Sequence, residues 1–456
     1  MLTASTLGFG SLALASLLHE DKLLAGSGGM LRRPSFQGRA KSVVFFLVGG
    51  GPSQTDLYDP KPLLQQLDGQ DVPESIAKDI PKIARTPLTG LLASPWKFRS
   101  YGESGIPVSE LVPETAQCVD DLCIVRSCQH NSPIHAPAEY LTLTGSLLGN
   151  RPSLGAWLSY GLGSDNHNLP SFIVFRTGET VRPPGIASGF LPARYQGTQV
   201  DSQRGIAHLR MPDGVTSEQR QAQLEFMATL NRQHAQRLPG NTDLEARIQA
   251  YELSFRMQMA APEAFDLSTE TQETQDLYGL HDKTTAEYAQ HLLLTRRLVE
   301  RGVRFIQIRS GGWDAHSDLV GNHGGKCRAT DRPIAAFLQD LKRRGLLDQT
   351  LVVWGGEFGR TPACQRGAAK PGRDHSPSGY TMWLAGGGVC GGQIIGATDP
   401  VGYNAIERPI HPHDLHATIL QALGVDQHAL YYEHNNRREL VTVLGGKVVT
   451  EVFTGS

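Results

Sequence analysis

Apolar residues fall along this chain in two rhythms. Short runs occur at Ser42–Val48 (SVVFFLV), 122–125, 171–175 (SFIVF), 305–309 (FIQIR), 350–354 (TLVVW) and 380–384. The continuous apolar run SVVFFLV reads as a strand buried on both faces, the pattern of a mostly parallel sheet, and the other runs, including FIQIR with its Gln307 and Arg309, read as further strands. Between about 214 and 302 the rhythm changes. Leu, Met, Tyr and Phe recur at helical spacing over Ser217–Arg237, 243–259 and 285–301, and strand signals are scarce. Helical spacing returns between the later strands at 332–344 and 413–423. This alternation predicts one α/β domain over 38–456 with a helical insertion at about 214–302. The Met and aromatic positions of the insertion read as packing faces.

A further apolar run lies at 7–18 (LGFGSLALASLL), too short for a membrane span and the length of the apolar part of an export signal. No Lys or Arg precedes it, and Arg32-Arg33 follow it, on the wrong side for a twin-arginine signal. The expectation is an export segment over 1–24, its positive region upstream of the printed start, and a periplasmic or extracellular protein with no stable membrane span. A buried helix is the alternative for this run.

Composition narrows the picture. Among 456 residues, 43 Lys plus Arg balance 45 Asp plus Glu, a net charge of −2, which argues against a nucleic-acid partner. The short basic run Lys342-Arg343-Arg344 reads as the end of a helix. The six cysteines form no C-x-x-C pair and match no zinc or disulfide framework, so they read as free core thiols.

In open α/β sheets ligands bind beyond the carboxyl ends of the strands, and three polar clusters follow strands here. The first is Gly49-Gly50-Gly51-Pro52-Ser53-Gln54-Thr55-Asp56. Its glycines let backbone N–H groups approach an anion, and Asp56 offers a cation ligand or a turn-capping carboxylate. It lacks the spacing of a P-loop or dinucleotide fingerprint. The second, Gly311 to Asp318, carries Asp314 and His316, a carboxylate and imidazole mix suited to zinc or manganese, with His323 further on. The third runs from Gly355 to Pro362 and on through Gly372 to Pro377, bringing Glu357, Arg360, Arg373, Asp374 and His375. Arg360 or Arg373 would clamp an oxyanion, or Glu357, Arg360 and Asp374 form a structural ion network. A fourth segment, His130 to Pro137, offers His130, Ser132 and His135 as base, nucleophile or ligands. No G-x-S-x-G elbow occurs, which argues against an α/β-hydrolase.

Taken in order, GGGPSQTDLYDPKP (Gly49 to Pro62), Leu143-Thr144-Gly145, GGWDAHSD (Gly311 to Asp318), GLLDQTLVVWGGEFGRTP (Gly345 to Pro362), GRDHSPSGYTMWLAGGGVCGGQIIGATD (Gly372 to Asp399) and DLHATILQALG (Asp414 to Gly424) resemble the domain-of-unknown-function family 1501. That group stands near the sulfatases and alkaline phosphatases. The resemblance implies a three-layer α/β/α sandwich with a metal site for hydrolysis or transfer of phosphate or sulfate esters. It implies that Asp314, His316 and His375 are metal ligands, with Glu357 as the carboxylate at a strand end. Zinc is the expected ion, with manganese or calcium as alternatives, and Asp56 is the remaining candidate ligand.

The departures are equally specific. Gly49 and Gly50 stand where sulfatases carry an Asp pair, and Phe358 stands where a His or Asn ligand would follow the carboxylate. The nucleophile position falls on His135 rather than on Ser, Thr or Cys, and no C-x-P-S-R or C-x-A-x-R excludes a formylglycine sulfatase. The leading expectation is an exported metal-dependent hydrolase of small-molecule or polysaccharide esters. In it His135 is a ligand, general base or nucleophile, and Arg360 or Arg373 holds the anion. The alternative is a non-catalytic binder of sulfated or phosphorylated ligands on the same fold. Geometry separates them: catalysis needs Asp314, His316 and His375 to converge beside Glu357, while a Phe358 that plugs the pocket favours the binder. As a surface ligand, His375 is also expected to tolerate replacement by Ala without loss of fold.

Overall fold

The computed structural model describes residues 34–78, 90–166, 168–177, 185–201, 214–237, 263–365 and 367–455, with a few isolated positions besides. The export-like run at 7–18 and most of the expected helix at 243–259 lie outside the described residues.

The apolar runs are strands of one sheet. In chain order its strands are β1 (Ser42–Val48), β2 (Leu122–Cys128), β3 (Phe172–Thr177), β4 (Thr198–Asp201), β5 (Gly205–Ile206), β6 (Phe305–Ser310), β7 (Thr350–Gly355), β8 (Tyr380–Ala385) and β9 (Gln393–Ile395). The short strands β4, β5 and β9, which the sequence reading did not single out, extend it. Their order across the sheet is β9-β2-β8-β7-β1-β6-β3-β4-β5. β1 lies parallel between β7 and β6, and only β5 and β8 run against the rest.

Alternation along β1 shows why no polar residue is tolerated there. Val44, Phe46 and Val48 point into one buried cluster, and Val43, Phe45 and Leu47 into another on the opposite face. The first cluster is closed by α4 (Ala286–Glu300) and α5 (Leu319–Arg343), through Leu292, Leu293, Phe337 and Leu341. The second is closed by α3 (Leu154–Leu162) and α6 (Pro412–Ala422), through Trp157 and Leu420. The result is a three-layer α/β/α sandwich. Within 214–302, Ser217–Arg237 is an exposed helix, while α4 belongs to the main core.

The helix expected at 332–344 is the second half of α5, which begins at Leu319 directly after the Asp314 loop. Gly321, Gly324 and Gly325 mask its first half in the sequence. Tertiary contacts override those weak propensities. Asp318 caps the helix by accepting from Gly321 N, and Asn322 Nδ2 and Lys326 Nζ donate to the carbonyls of Gly312 and Gly311 at 2.9 and 2.7 Å. α5 therefore holds the motif loop that precedes it. No helix among the described residues is long and apolar enough to cross a membrane.

Candidate metal centre

The three polar clusters and the His130 segment meet at the carboxyl ends of β1, β6 and β7. Asp314, five residues beyond Arg309 of β6, is the hub. Its Oδ1 lies 3.0 Å from His316 Nε2 and 3.1 Å from His375 Nε2, and its Oδ2 lies 3.2 Å from His135 Nε2. The two Nε2 atoms of His316 and His375 are themselves 3.0 Å apart. Two three-residue groups, His135–Asp314–His375 and His316–Asp374–His375, have ligand atoms close enough to hold one ion, and they share His375.

Each ring is set from behind. His375 Nδ1 lies 2.6 Å from the Pro133 carbonyl, a pure acceptor, so that nitrogen carries a hydrogen, and in the neutral ring Nε2 presents a lone pair. Phe358, fully buried, stacks under His375 at 4.5 Å and beside His135 at 4.9 Å. It packs beneath the two imidazoles. His375 is itself buried, which corrects its expectation as a surface ligand: replacing it by Ala would remove core packing as well as a ligand.

Glu357, at the end of β7, is buried and accepts from His135 Nδ1 at 2.6 Å and from Gly50 N at 3.0 Å. Burial alone would raise its carboxyl, but the His135 ring and the Gly50 N–H bring it below the usual range. The glycine loop after β1 thus does cradle an anion, and that anion is Glu357. Gly50 has φ +111°, and a Cβ there would sit 2.6 Å from Asp314 N, so only glycine lets the two loops stack. His135 opens α2 (His135–Thr144) and bridges Glu357 and Asp314. Burial disfavours its charged form, yet hydrogen bonds to the two carboxylates win and raise it to about 9. Burial likewise opposes ionisation of Asp314, while His135, His375 and Arg360 hold it far below the ordinary range. His316 is half-exposed and lowered, first by desolvation.

The remaining expected residues are not ligands: Arg360 braces the cluster from behind, and Asp56 and Arg373 stand apart from it. Arg360 is buried and donates to Asp314 Oδ1 and to the carbonyls of Gly50, Gly51 and Arg373, so it anchors Asp314 and the glycine loop and has no free edge for an anion. Arg373 is buried too. Its Nε and Nη2 meet Asp56 Oδ2 and Oδ1 at 2.7 and 3.0 Å, and Nη1 donates to Leu92 O. Asp56 also accepts from Ser53 Oγ at 2.5 Å. Asp56 and Arg373 are therefore partners of each other, with their polar atoms occupied, and Asp56 is in neither ligand group.

Asp374 and His130, both singled out in the sequence, help to build the centre, and Glu139, which the sequence reading passed over, does so too. Asp374 accepts from His375 N at 2.7 Å and stands 3.7 Å from His316 Nδ1. His130 Nε2 lies 2.5 Å from the Glu357 carbonyl, and burial lowers its affinity for a proton. Glu139, one helical turn beyond His135, forms a buried pair with Arg309 at 3.0 Å and so ties α2 to the end of β6. The i, i+4 spacing of His135 and Glu139 was the available signal. The five buried cysteines remain free thiols, with burial pushing Cys118 up to about 11.

None of the curated proteins matches the sequence. Among solved structures, a protein in the alkaline phosphatase superfamily from Vibrio parahaemolyticus is 11% identical, with 92% of this chain and 72% of that chain covered and a TM-score of 0.36. PsFucS1 sulfatase from Pseudoalteromonas sp. is 11% identical, with 88% and 73% covered and a TM-score of 0.33. The lipoteichoic acid synthase LtaP from Listeria monocytogenes is 9% identical, with 86% and 74% covered and a TM-score of 0.34. These likenesses are distant. The sequence family is not: residues 40–453 match as one unit, and the chain belongs to the family described as Protein of unknown function (DUF1501).

Proposed function

We propose that this chain is an exported, metal-dependent hydrolase of phosphate or sulfate esters. The observation that supports it is the meeting of Asp314 Oδ1, His316 Nε2 and His375 Nε2 at 3.0–3.1 Å. With its Nδ1–H taken by the Pro133 carbonyl, the neutral ring of His375 turns a lone pair at Nε2 toward Asp314, and a carboxylate is an acceptor only. Acceptors that face one another call for a cation between them, and two imidazoles with one carboxylate suit zinc, then manganese or calcium. Asp314, His316 and His375 would hold such an ion, which would supply Lewis acidity toward an ester oxygen and a water molecule.

The chain's own residues supply the rest. Arg360 fixes the rotamer of Asp314 through Oδ1. Glu357 holds Nδ1 of His135, so the proton that this ring exchanges with a reacting oxygen is the one at Nε2, on the side of Asp314. Phe358 fills the space beneath His135 and His375 and keeps water from their buried faces. A second reading, capture of a sulfated or phosphorylated ligand without turnover, is favoured by one observation. No Ser, Thr or Cys side chain among the described residues bonds to Asp314, His135, His316 or His375, so no hydroxyl or thiol nucleophile is seated there.

The test is elemental analysis of the purified protein after dialysis against a weak chelator, followed by assay of aryl phosphates and aryl sulfates. Near-stoichiometric metal with turnover is expected. Absence of metal even after reconstitution would overturn the hydrolase reading and leave the binder.

A further inference from the structure

A cleft of about 500 Å³ is lined by residues adjacent in the chain to those that seat the candidate metal centre. Gln129, Asn131, Ser378, Asn404 and Ile406 line it. Its walls are the backbone segments that seat the centre. Gln129 and Asn131 flank His130, which meets the Glu357 carbonyl, and Pro133, two residues beyond Asn131, takes His375 Nδ1. Ser378 lies three residues after His375, and the walls are joined by His130 N to Pro377 O and Ala405 N to Ser378 O, both 2.8 Å.

The chemistry of this cleft differs from that of the centre. Its one ionisable lining residue is Asp399, whose carboxylate already accepts four backbone N–H groups, from Val401, Gly402, Tyr403 and Asn404, at 2.7–3.1 Å. No charge is left to hold an anion. By contrast, the side chains of Gln129, Asn131, Ser378 and Asn404 make no hydrogen bond to any described residue. Three amides and a hydroxyl therefore present both donors and acceptors to whatever enters. Pro400 and Ile406, the latter 63% exposed, give the cleft an apolar side.

Uncharged amides beside an apolar surface match a sugar ring, whose vicinal hydroxyls pair with amides while its C–H face lies on carbon. We infer that this cleft is a subsite for an uncharged sugar residue, so that the ester handled at Asp314, His316 and His375 is carried on a glycan chain. The inference rests on the proposed ester-hydrolase reading for its substrate, and on the cleft alone for its sugar.

The test uses the full, metal-reconstituted chain on an array of labelled neutral and sulfated oligosaccharides, with calorimetry on those retained. Wild type is expected to retain a subset. The double variant Asn131→Ala/Asn404→Ala is expected to bind that subset at least tenfold more weakly, with its metal content unchanged. Gln129→Ala serves as a second, single change should the double variant melt early. Retention of no oligosaccharide by wild type, or equal affinity in folded variants, would overturn the subsite. The two readings fail separately: sugar binding that responds to these variants in a protein without metal or turnover removes the hydrolase and keeps the cleft. Metal and aryl-ester turnover with no sugar bound do the reverse.

Discussion

Two aspartates stand beyond neighbouring strands at the same edge of the sheet, and their surroundings assign them opposite tasks. Asp314, after β6, has a side chain 41% exposed and faces three imidazole nitrogens. Asp56, after β1, is fully buried, and Arg373 and Ser53 occupy both its oxygens. Both carboxyls are held below the ordinary range against the opposing effect of burial. A lowered pKa therefore does not separate a ligand from a scaffold. What separates them is access: Asp56 has its partners sealed inside the protein, whereas Asp314, although Arg360 and His135 meet its oxygens, keeps an open side next to His316 and His375.

The strongest way to break this contrast is at Arg373. Arg373→Ala leaves the buried Asp56 carboxylate without its guanidinium, and removing one member of a buried pair costs about 3–5 kcal/mol. Urea unfolding should show that loss directly. A loss under about 1 kcal/mol would mean that water reaches Asp56, contradicting its complete burial. The matching change on the other side is Asp314→Asn. It should weaken metal binding by more than about a hundredfold, since a neutral amide replaces the anionic ligand. The unfolding midpoint of the metal-free protein should also fall, but less than in Arg373→Ala, because buried Arg360 loses its carboxylate partner yet keeps three carbonyl acceptors. Equal metal content in Asp314→Asn and wild type would remove Asp314 from the centre.

The scaffold side carries its own acid sensitivity. His323 accepts from Ser53 N at 3.0 Å on the loop that leads to Asp56. Burial lowers it to about 4, with Asp56 opposing and Arg360 and Arg373 reinforcing the shift. An unfolded histidine takes its proton near pH 6.5. Between pH 6.5 and 4 the unfolded chain therefore binds the extra proton. The stabilising contribution of neutral His323 is complete above about 6.5 and is lost as pH falls toward 4. His416, also lowered to about 4 by burial, acts in the same direction. His323→Gln keeps an acceptor for Ser53 N and removes the titration, so the loss of stability between pH 6.5 and 4 should shrink by about 2 kcal/mol. Stability-versus-pH curves that superimpose for the two proteins would show that His323 is not the group responsible.

The layers of the fold were legible because burial on both faces forbids polar residues: SVVFFLV and TLVVW have no other reading. The start of α5 was not, since Gly321, Gly324 and Gly325 look like a loop until the contacts of Asn322 and Lys326 are known. The ligands Asp314, His316 and His375 could be suspected because chemistry-bearing residues follow strands. The pairing of Asp56 with Arg373, 317 positions apart, leaves no local trace, and neither does that of Glu139 with Arg309, 170 apart. A sequence displays residue types near strand ends. It does not display which of them are sealed inside the protein, and that decides between Asp56 and Asp314.

Asp374 sharpens the comparison on the smallest scale, because it sits between the two classes. Its carboxylate is buried, like that of Asp56, yet it belongs to one of the two ligand groups that share His375. The backbone N–H of His375 donates to its Oδ1 at 2.7 Å, while His316 Nδ1 stands 3.7 Å away, beyond a hydrogen bond. At that distance the carboxylate acts on the His316 ring through its charge, favouring a hydrogen on Nδ1, rather than as the atom that binds the ion. Second-layer carboxylates behind metal-bound imidazoles contribute about tenfold to a hundredfold in affinity. Asp374→Asn keeps the shape and the acceptor for His375 N, so metal affinity should fall about tenfold, well short of the loss in Asp314→Asn. The difference can be read by competition with a chromogenic chelator. A loss as large as that of Asp314→Asn would shift the ion to the His316–Asp374–His375 group, and Asp314 would then be the residue that positions rather than binds.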